Sequence, residues 1–160
     1  MKQHLSTYGK TNTWITPKYI TDALGDFDLD PCAHTQMPWH HANKEFTIHD
    51  DGLAQQWLGR VWCNPPFHRK DINNWFRKMM FHNNGILLAG ANMETDRFKK
   101  YVIGKAEGIL FMDHRPYFIL PDGTKAHTNA GQTICLIAYG KTNLESLVNS
   151  NLGPVFIEYK

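Results

Sequence analysis

The stretch RVWCNPPF, residues 60–67, decides how the rest of the chain is read. VWC is a short apolar run, bounded on one side by a breaker, and reads as a buried strand. Pro65 and Pro66 end it, because neither can donate to a ladder. Asn64 is left at the strand's carboxyl end and Phe67 just beyond it. A plain turn needs at most one of these features. Together they describe a stiff loop with an amide and an aromatic ring held in fixed positions.

Working outward, strands and helices alternate. TPKYITDALG predicts a helix, with Thr16 as its cap, Pro17 in the first position and Gly25 at the stop. DFDLD predicts a strand that runs into a loop at Pro31, and EFTIH a second short strand. DGLAQQW predicts a short helix capped by Asp51. Residues 71–82 predict a helix with Ile72, Trp75, Phe76, Met79 and Met80 on one face. GILLAGA predicts a buried strand, ETDRFKKYVIG a helix closed by Gly104, and EGILFMD another strand. YFIL and TICLIAY predict paired strands around the PDGT turn, with a helix in NLESLVNS and a strand in PVFIEY. This order predicts a single-domain α/β fold: a mostly parallel sheet with an antiparallel edge. In such sheets ligands bind at the carboxyl ends of strands, where DPCA (residues 31–33 after Asp30) and NPPF both fall.

Composition narrows the function classes. A chain of 160 residues with 42% hydrophobic and 20% charged residues is globular rather than disordered. The net charge of +2 neither requires nor excludes nucleic acid, so any electropositive patch is local. No apolar run approaches a membrane span, and MKQHLSTYGK lacks the apolar core of a signal peptide, which predicts a cytoplasmic protein. Three widely spaced cysteines predict no disulfide framework, and the nine histidines fall in no metal-ligand spacing, so no metal is expected.

The chemistry of NPPF follows from its parts. The Asn64 amide can accept a hydrogen bond, and Pro65 offers a carbonyl but no donor. The successive prolines, Pro65 and Pro66, fix where both oxygens point, and Phe67 offers a face for stacking. Two fixed acceptors beside a plate suit a planar group that bears an NH2, such as a nucleobase. Holding both amine hydrogens draws the nitrogen out of ring conjugation and makes its lone pair a better nucleophile. A rigid strand-to-helix loop with a core Phe is the plainer alternative.

NPPF resembles the motif of amino-group methyltransferases that use S-adenosylmethionine. More narrowly, the chain resembles the phage-type DNA N-6-adenine methyltransferases of the Dam family. The matching pieces run in order: TWITP at 13–17, FDLDPCA at 27–33, DDGLAQQW at 50–57, RVWCNPPF at 60–67 and INNWFRKM at 72–79. Looser matches follow to about Tyr139. The resemblance implies a Rossmann-like methyltransferase sheet with helices on both faces, S-adenosylmethionine as the methyl donor, and adenine in DNA, flipped from a duplex, as the acceptor. It places Asn64 and Pro65 on the adenine amine, Pro66 beside them and Phe67 on the base. It places Trp14, Thr16 and Pro17 beside the methionine end of the donor. Asp30, Pro31, Cys32 and Ala33 fall in the donor-binding loop. Asp51, with Asp50 the competing choice, falls on the donor's own adenine.

His68, Arg69 and Lys70 flank the base pocket, and Arg115 lies in HRPYFILPDGTKAH; these are the candidate DNA contacts, with a solvated basic surface the plain alternative. Two departures stand out. His34 and Thr35 occupy the place where many methyltransferases carry glycine, and only Glu45 offers an acid for the donor's ribose. No insertion provides a separate target-recognition domain. RNA or protein amino-group methylation, and a non-catalytic DNA-binding relative, are the competing functions.

Overall fold

The computed structural model describes residues 14–67 and 70–157. In chain order the elements are α1 (Lys18–Leu24), β1 (Leu29–Asp30), β2 (Lys44–Glu45), β3 (Val61–Cys63), α2 (Ile72–His82), β4 (Gly85–Gly90), α3 (Asp96–Tyr101), β5 (Gly108–Phe111), β6 (Ile134–Tyr139), α4 (Lys141–Asn149) and β7 (Val155–Ile157). The strands form one sheet in the order β2-β1-β3-β4-β6-β5-β7. The pairs β2–β1, β1–β3 and β3–β4 are parallel. β6 runs antiparallel to both β4 and β5, and β7 antiparallel to β5. The expected antiparallel edge is present: β6, β5 and β7 follow the parallel strands, with β6 lying between β4 and β5.

Both faces of the sheet are covered, which explains why β4 and β6 are buried at every residue. Side chains alternate along β4. Leu87 and Ala89 join Trp75, Phe76 and Met79 of α2 and Phe98 of α3 in one core cluster. Ile86 and Leu88 join Ile20 and Leu24 of α1 and Leu147 of α4 in the other. The apolar stripe expected for residues 71–82 thus does bury its Ile72, Trp75, Phe76 and Met79, while Met80 is only partly buried.

Four local expectations are corrected. Thr16 is no helix cap: Pro17 holds the N-cap position of α1 without a side-chain bond, and Thr16 is buried beside Asn64. DGLAQQW forms turns rather than a helix, so Asp51 is no helix cap either. Asp51 sits at φ +51°, and the carbonyls of Gly52, Leu53 and Gln55 accept from the Lys78 ammonium instead of from amides one turn on. The strand expected at EFTIH is displaced to Lys44–Glu45, where it pairs with β1. YFIL is not a strand, because Pro116 and Pro121 bracket it and Ile119 makes only isolated bridges to Ile15 and Lys125.

Arg60 ties the two helices of one face to the start of β3. Its guanidinium donates to the Leu24 and Asp26 carbonyls (3.0 and 2.7 Å), to Asn143 Oδ1 (2.7 Å) and to Ser146 Oγ (2.9 Å). It also lies 4.2 Å above the Phe27 ring. Removing it leaves the last carbonyls of α1 without this donor. Arg60→Met keeps the aliphatic stem and is expected to cost about 2–4 kcal/mol of unfolding free energy, read from urea denaturation.

Candidate active site

The chain leaves β1 toward β2 on one side and places β3 on the other, so the two connections diverge at the carboxyl ends of β1 and β3. Such a divergence opens a crevice in an α/β sheet. A cavity of about 520 Å³ occupies it, a volume suited to a small molecule. Its walls include Trp14 and Thr16 before α1, Asp30–Ala33 after β1, Asp51–Leu53, and Asn64 and Pro66 after β3. Four stretches far apart in sequence therefore meet at one place.

Asn64 is gripped from three directions. Its side-chain Nδ2 donates to the Trp14 carbonyl (2.8 Å) and to Thr16 Oγ1 (3.1 Å). Its backbone carbonyl accepts from Cys32 Sγ at 3.2 Å. A carbonyl such as that of Trp14 can only accept, so it fixes which end of the amide is nitrogen. Both amide hydrogens are engaged, and no donor among the described residues reaches Asn64 Oδ1. The carbonyl end of the amide is left as an acceptor on the cavity wall.

The loop after β1 is equally constrained. The Cys32 amide donates to Asp30 Oδ1 (3.0 Å), the Ala33 amide to the Phe46 carbonyl (2.9 Å), and the Cys32 and Cys63 sulfurs lie 3.7 Å apart as free thiols. The closest backbone approach comes from across the cavity. A Cβ on Gly52 would stand 1.8 Å from the Pro31 carbonyl oxygen, so only glycine fits. Lys78 of α2 holds the 50–53 turn through its carbonyls, and Trp57 Nε1 adds a bond to the Gly52 carbonyl (2.8 Å).

A family model described as DNA N-6-adenine-methyltransferase (Dam) matches residues 5–151. The chain belongs to the Dam family. No individual curated protein and no solved structure matches it. At the level of the family this is a DNA adenine methyltransferase, and methyltransferases of this kind typically draw the methyl group from S-adenosylmethionine.

Of the residues singled out from the sequence, Trp14, Thr16, Asp30, Pro31, Cys32, Ala33, Asp51, Asn64 and Pro66 share the cavity of this Dam-family chain. Pro17 and Pro65 are buried and stand outside its wall. Phe67 is also off the wall, and its ring packs partly buried against the cluster beneath α1 and α4. Lys70 and Arg115 are exposed and do not line the cavity, while His68 and Arg69 lie outside the described residues. Glu45 is engaged elsewhere, accepting from the His41 amide (3.1 Å) and pairing with His40 (2.9 Å). Asp50 folds its carboxylate back onto Thr47. Gly52 and Lys78 escaped the sequence reading, although the glycine of DDGL was a visible signal. His41 escaped it too; it lines the cavity, and burial lowers its pKa to about 4. Among the described residues no group of His, Cys, Asp and Glu could hold a metal ion, and no helix is long and apolar enough to cross a membrane.

Asp30 is the one buried acid on the wall. Burial pushes its carboxyl up to about 7, opposed by the bond from the Cys32 amide and reinforced by the charge of Glu45. A group that binds its proton more tightly when folded stabilises the fold at low pH and loses that contribution as pH rises. Stability of the ligand-free protein is therefore expected to fall between about pH 4, the unfolded value, and pH 7. Asp30→Asn should flatten that part of the profile, measured as urea midpoints across pH. Gly52→Ala should drive the 50–53 turn off Pro31 and lower the melting temperature, seen by calorimetry.

Proposed function

We propose that the chain transfers a methyl group from S-adenosylmethionine to the exocyclic N6 amine of adenine in DNA. The observation that carries this reading is the orientation of Asn64. Its amide hydrogens are both taken by Trp14 and Thr16, so the side chain meets a ligand as an acceptor. An aromatic amine needs an acceptor, because it enters the site with two N–H donors and a weak lone pair. In this reading the Pro65 carbonyl, which sits just behind the cavity wall, is the second acceptor, and Pro66 limits the backbone freedom of the loop. Accepting both hydrogens would free the nitrogen lone pair; the donor, when bound, would give up its methyl carbon by breaking the bond to sulfur and leave as the thioether, and the surplus proton would pass to water.

The residues present fit the methyl donor. A buried carboxyl such as Asp30 favours a cationic partner, and the donor carries an ammonium and a sulfonium. When bound, the donor supplies an electrophilic methyl carbon, and the chain's own contribution is positioning by fixed dipoles. Cys32, Ala33 and Pro31 line the same loop, and Asp51 stands across the cavity on the turn held by Lys78. Pro17 follows Thr16 at the helix start and shapes that wall from behind. In this reading the sheet is Rossmann-like, with the donor at the divergence of β1 and β3.

The acceptor adenine leaves the duplex to reach Asn64, at an unpairing cost of a few kcal/mol. Phe67, behind the cavity wall, stiffens the loop and stacks on the base once the loop adjusts. Lys70 and Arg115, exposed, are assigned to phosphate contact, as are His68 and Arg69 from the sequence. The protein acts on DNA in the cytoplasm of a bacterial host, encoded by a phage or prophage.

Asn64→Ala should reduce methyl transfer to DNA by about 100-fold or more, the scale of losing a fixed dipole at the reacting group. Binding of S-adenosylhomocysteine, followed by calorimetry, should stay within about twofold of wild type, since the amide serves the base. Labelled methyl transfer to DNA, RNA and protein in parallel tests the substrate class, and incorporation into RNA alone would overturn the assignment.

A further inference from the structure

Thr16 carries a role that neither its place in the sequence nor the family match assigns. Its resemblance-based place is beside the methyl donor. In the fold, however, its hydroxyl oxygen accepts a hydrogen bond from Asn64 Nδ2 at 3.1 Å across a sequence gap of 48 residues. Thr16 is buried and lines the cavity. The Trp14 carbonyl accepts the other amide hydrogen at 2.8 Å. We propose that Thr16 is a positioning residue for base capture: with the Trp14 carbonyl it locks the Asn64 amide so that Oδ1, and not Nδ2, faces the substrate amine. This rests on the adenine-methylation reading above.

Three observations support the lock. An amide is nearly isosteric on turning over, and the wrong orientation would present a donor to a donor. Only the partners of the nitrogen decide between the two. The Trp14 carbonyl alone would engage one hydrogen and leave the other N–H without an acceptor; Thr16 Oγ1 supplies it. The segment bearing both acceptors is itself anchored, because Ile15 pairs with Ile119 through reciprocal backbone bonds of 3.1 and 2.9 Å. Trp14 packs at 6.0 Å centroid distance against Phe118 in the same segment.

The test is Thr16→Val, which keeps the shape and removes the acceptor, with Thr16→Ser as the restoring variant. Single-turnover methyl transfer to DNA at saturating S-adenosylmethionine should fall about 10- to 100-fold in Thr16→Val. Serine should recover most of it. Calorimetric affinity for S-adenosylhomocysteine should remain within about twofold in both. The opposite split, weakened S-adenosylhomocysteine binding with an unchanged saturated rate, would overturn the proposal and return Thr16 to the donor. Equal losses in valine and serine variants, accompanied by a lowered melting temperature, would also overturn it, by showing a role in packing alone. A wild-type protein that binds S-adenosylhomocysteine yet methylates no DNA, or one as active with alanine at position 64, would instead strike at the adenine reading itself.

Discussion

The site depends on one bidentate donation: the Asn64 amide gives both of its hydrogens to the segment before α1. An amide that has no hydrogens left can only accept. That polarity separates a pocket for an amine from a pocket for a carbonyl, although the side chain is the same. It also requires the start of the described chain, the loop after β1 and the end of β3 to stay within hydrogen-bond reach of one another. Much of the surrounding structure serves that requirement. Cys32 bonds the Asn64 carbonyl, Ile15 pairs with Ile119, and the two prolines after Asn64 restrict its backbone.

Two cations do the corresponding work at longer range. Arg60 gathers the end of α1, the start of β3 and α4 at one point, which sets the height of the first helix against the sheet. Lys78 gathers three consecutive-turn carbonyls and so keeps the 50–53 turn against Pro31, where glycine alone allows contact. Neither cation lines the cavity, yet each donates to backbone carbonyls of an irregular stretch. The cavity wall is built from loops, and the loops are held by side chains that helices and strands deliver.

Burial of Asp30 sets its protonation state and makes it a pH-dependent element of the fold. A carboxyl enclosed by the loop it helps to form keeps its proton near neutrality. A cation entering the cavity reverses the balance, because the charged form then has a partner. The proline and cysteine that follow it contribute shape and backbone bonds rather than charge.

Periodic segments were legible from the sequence: α2 and its stripe, the buried β4, and the strand before NPPF all follow from local pattern, because alternation and the 3.6 period reflect burial directly. So did the grouping of DPCA and NPPF at one end of the sheet, since strand ends collect loops. Irregular segments were not. DGLAQQW has helical residues, yet a lysine from α2 takes its carbonyls; YFIL has strand residues, yet flanking prolines leave it only bridges. The insertion of β6 between β4 and β5 is a pairing choice that no local pattern encodes. The sequence by itself determined which residue types could handle an amine: an asparagine, two prolines and their order. Only the tertiary structure decided which end of that asparagine faces the cavity, because its orientation is fixed by acceptors at positions 14 and 16 that lie about fifty residues away along the chain.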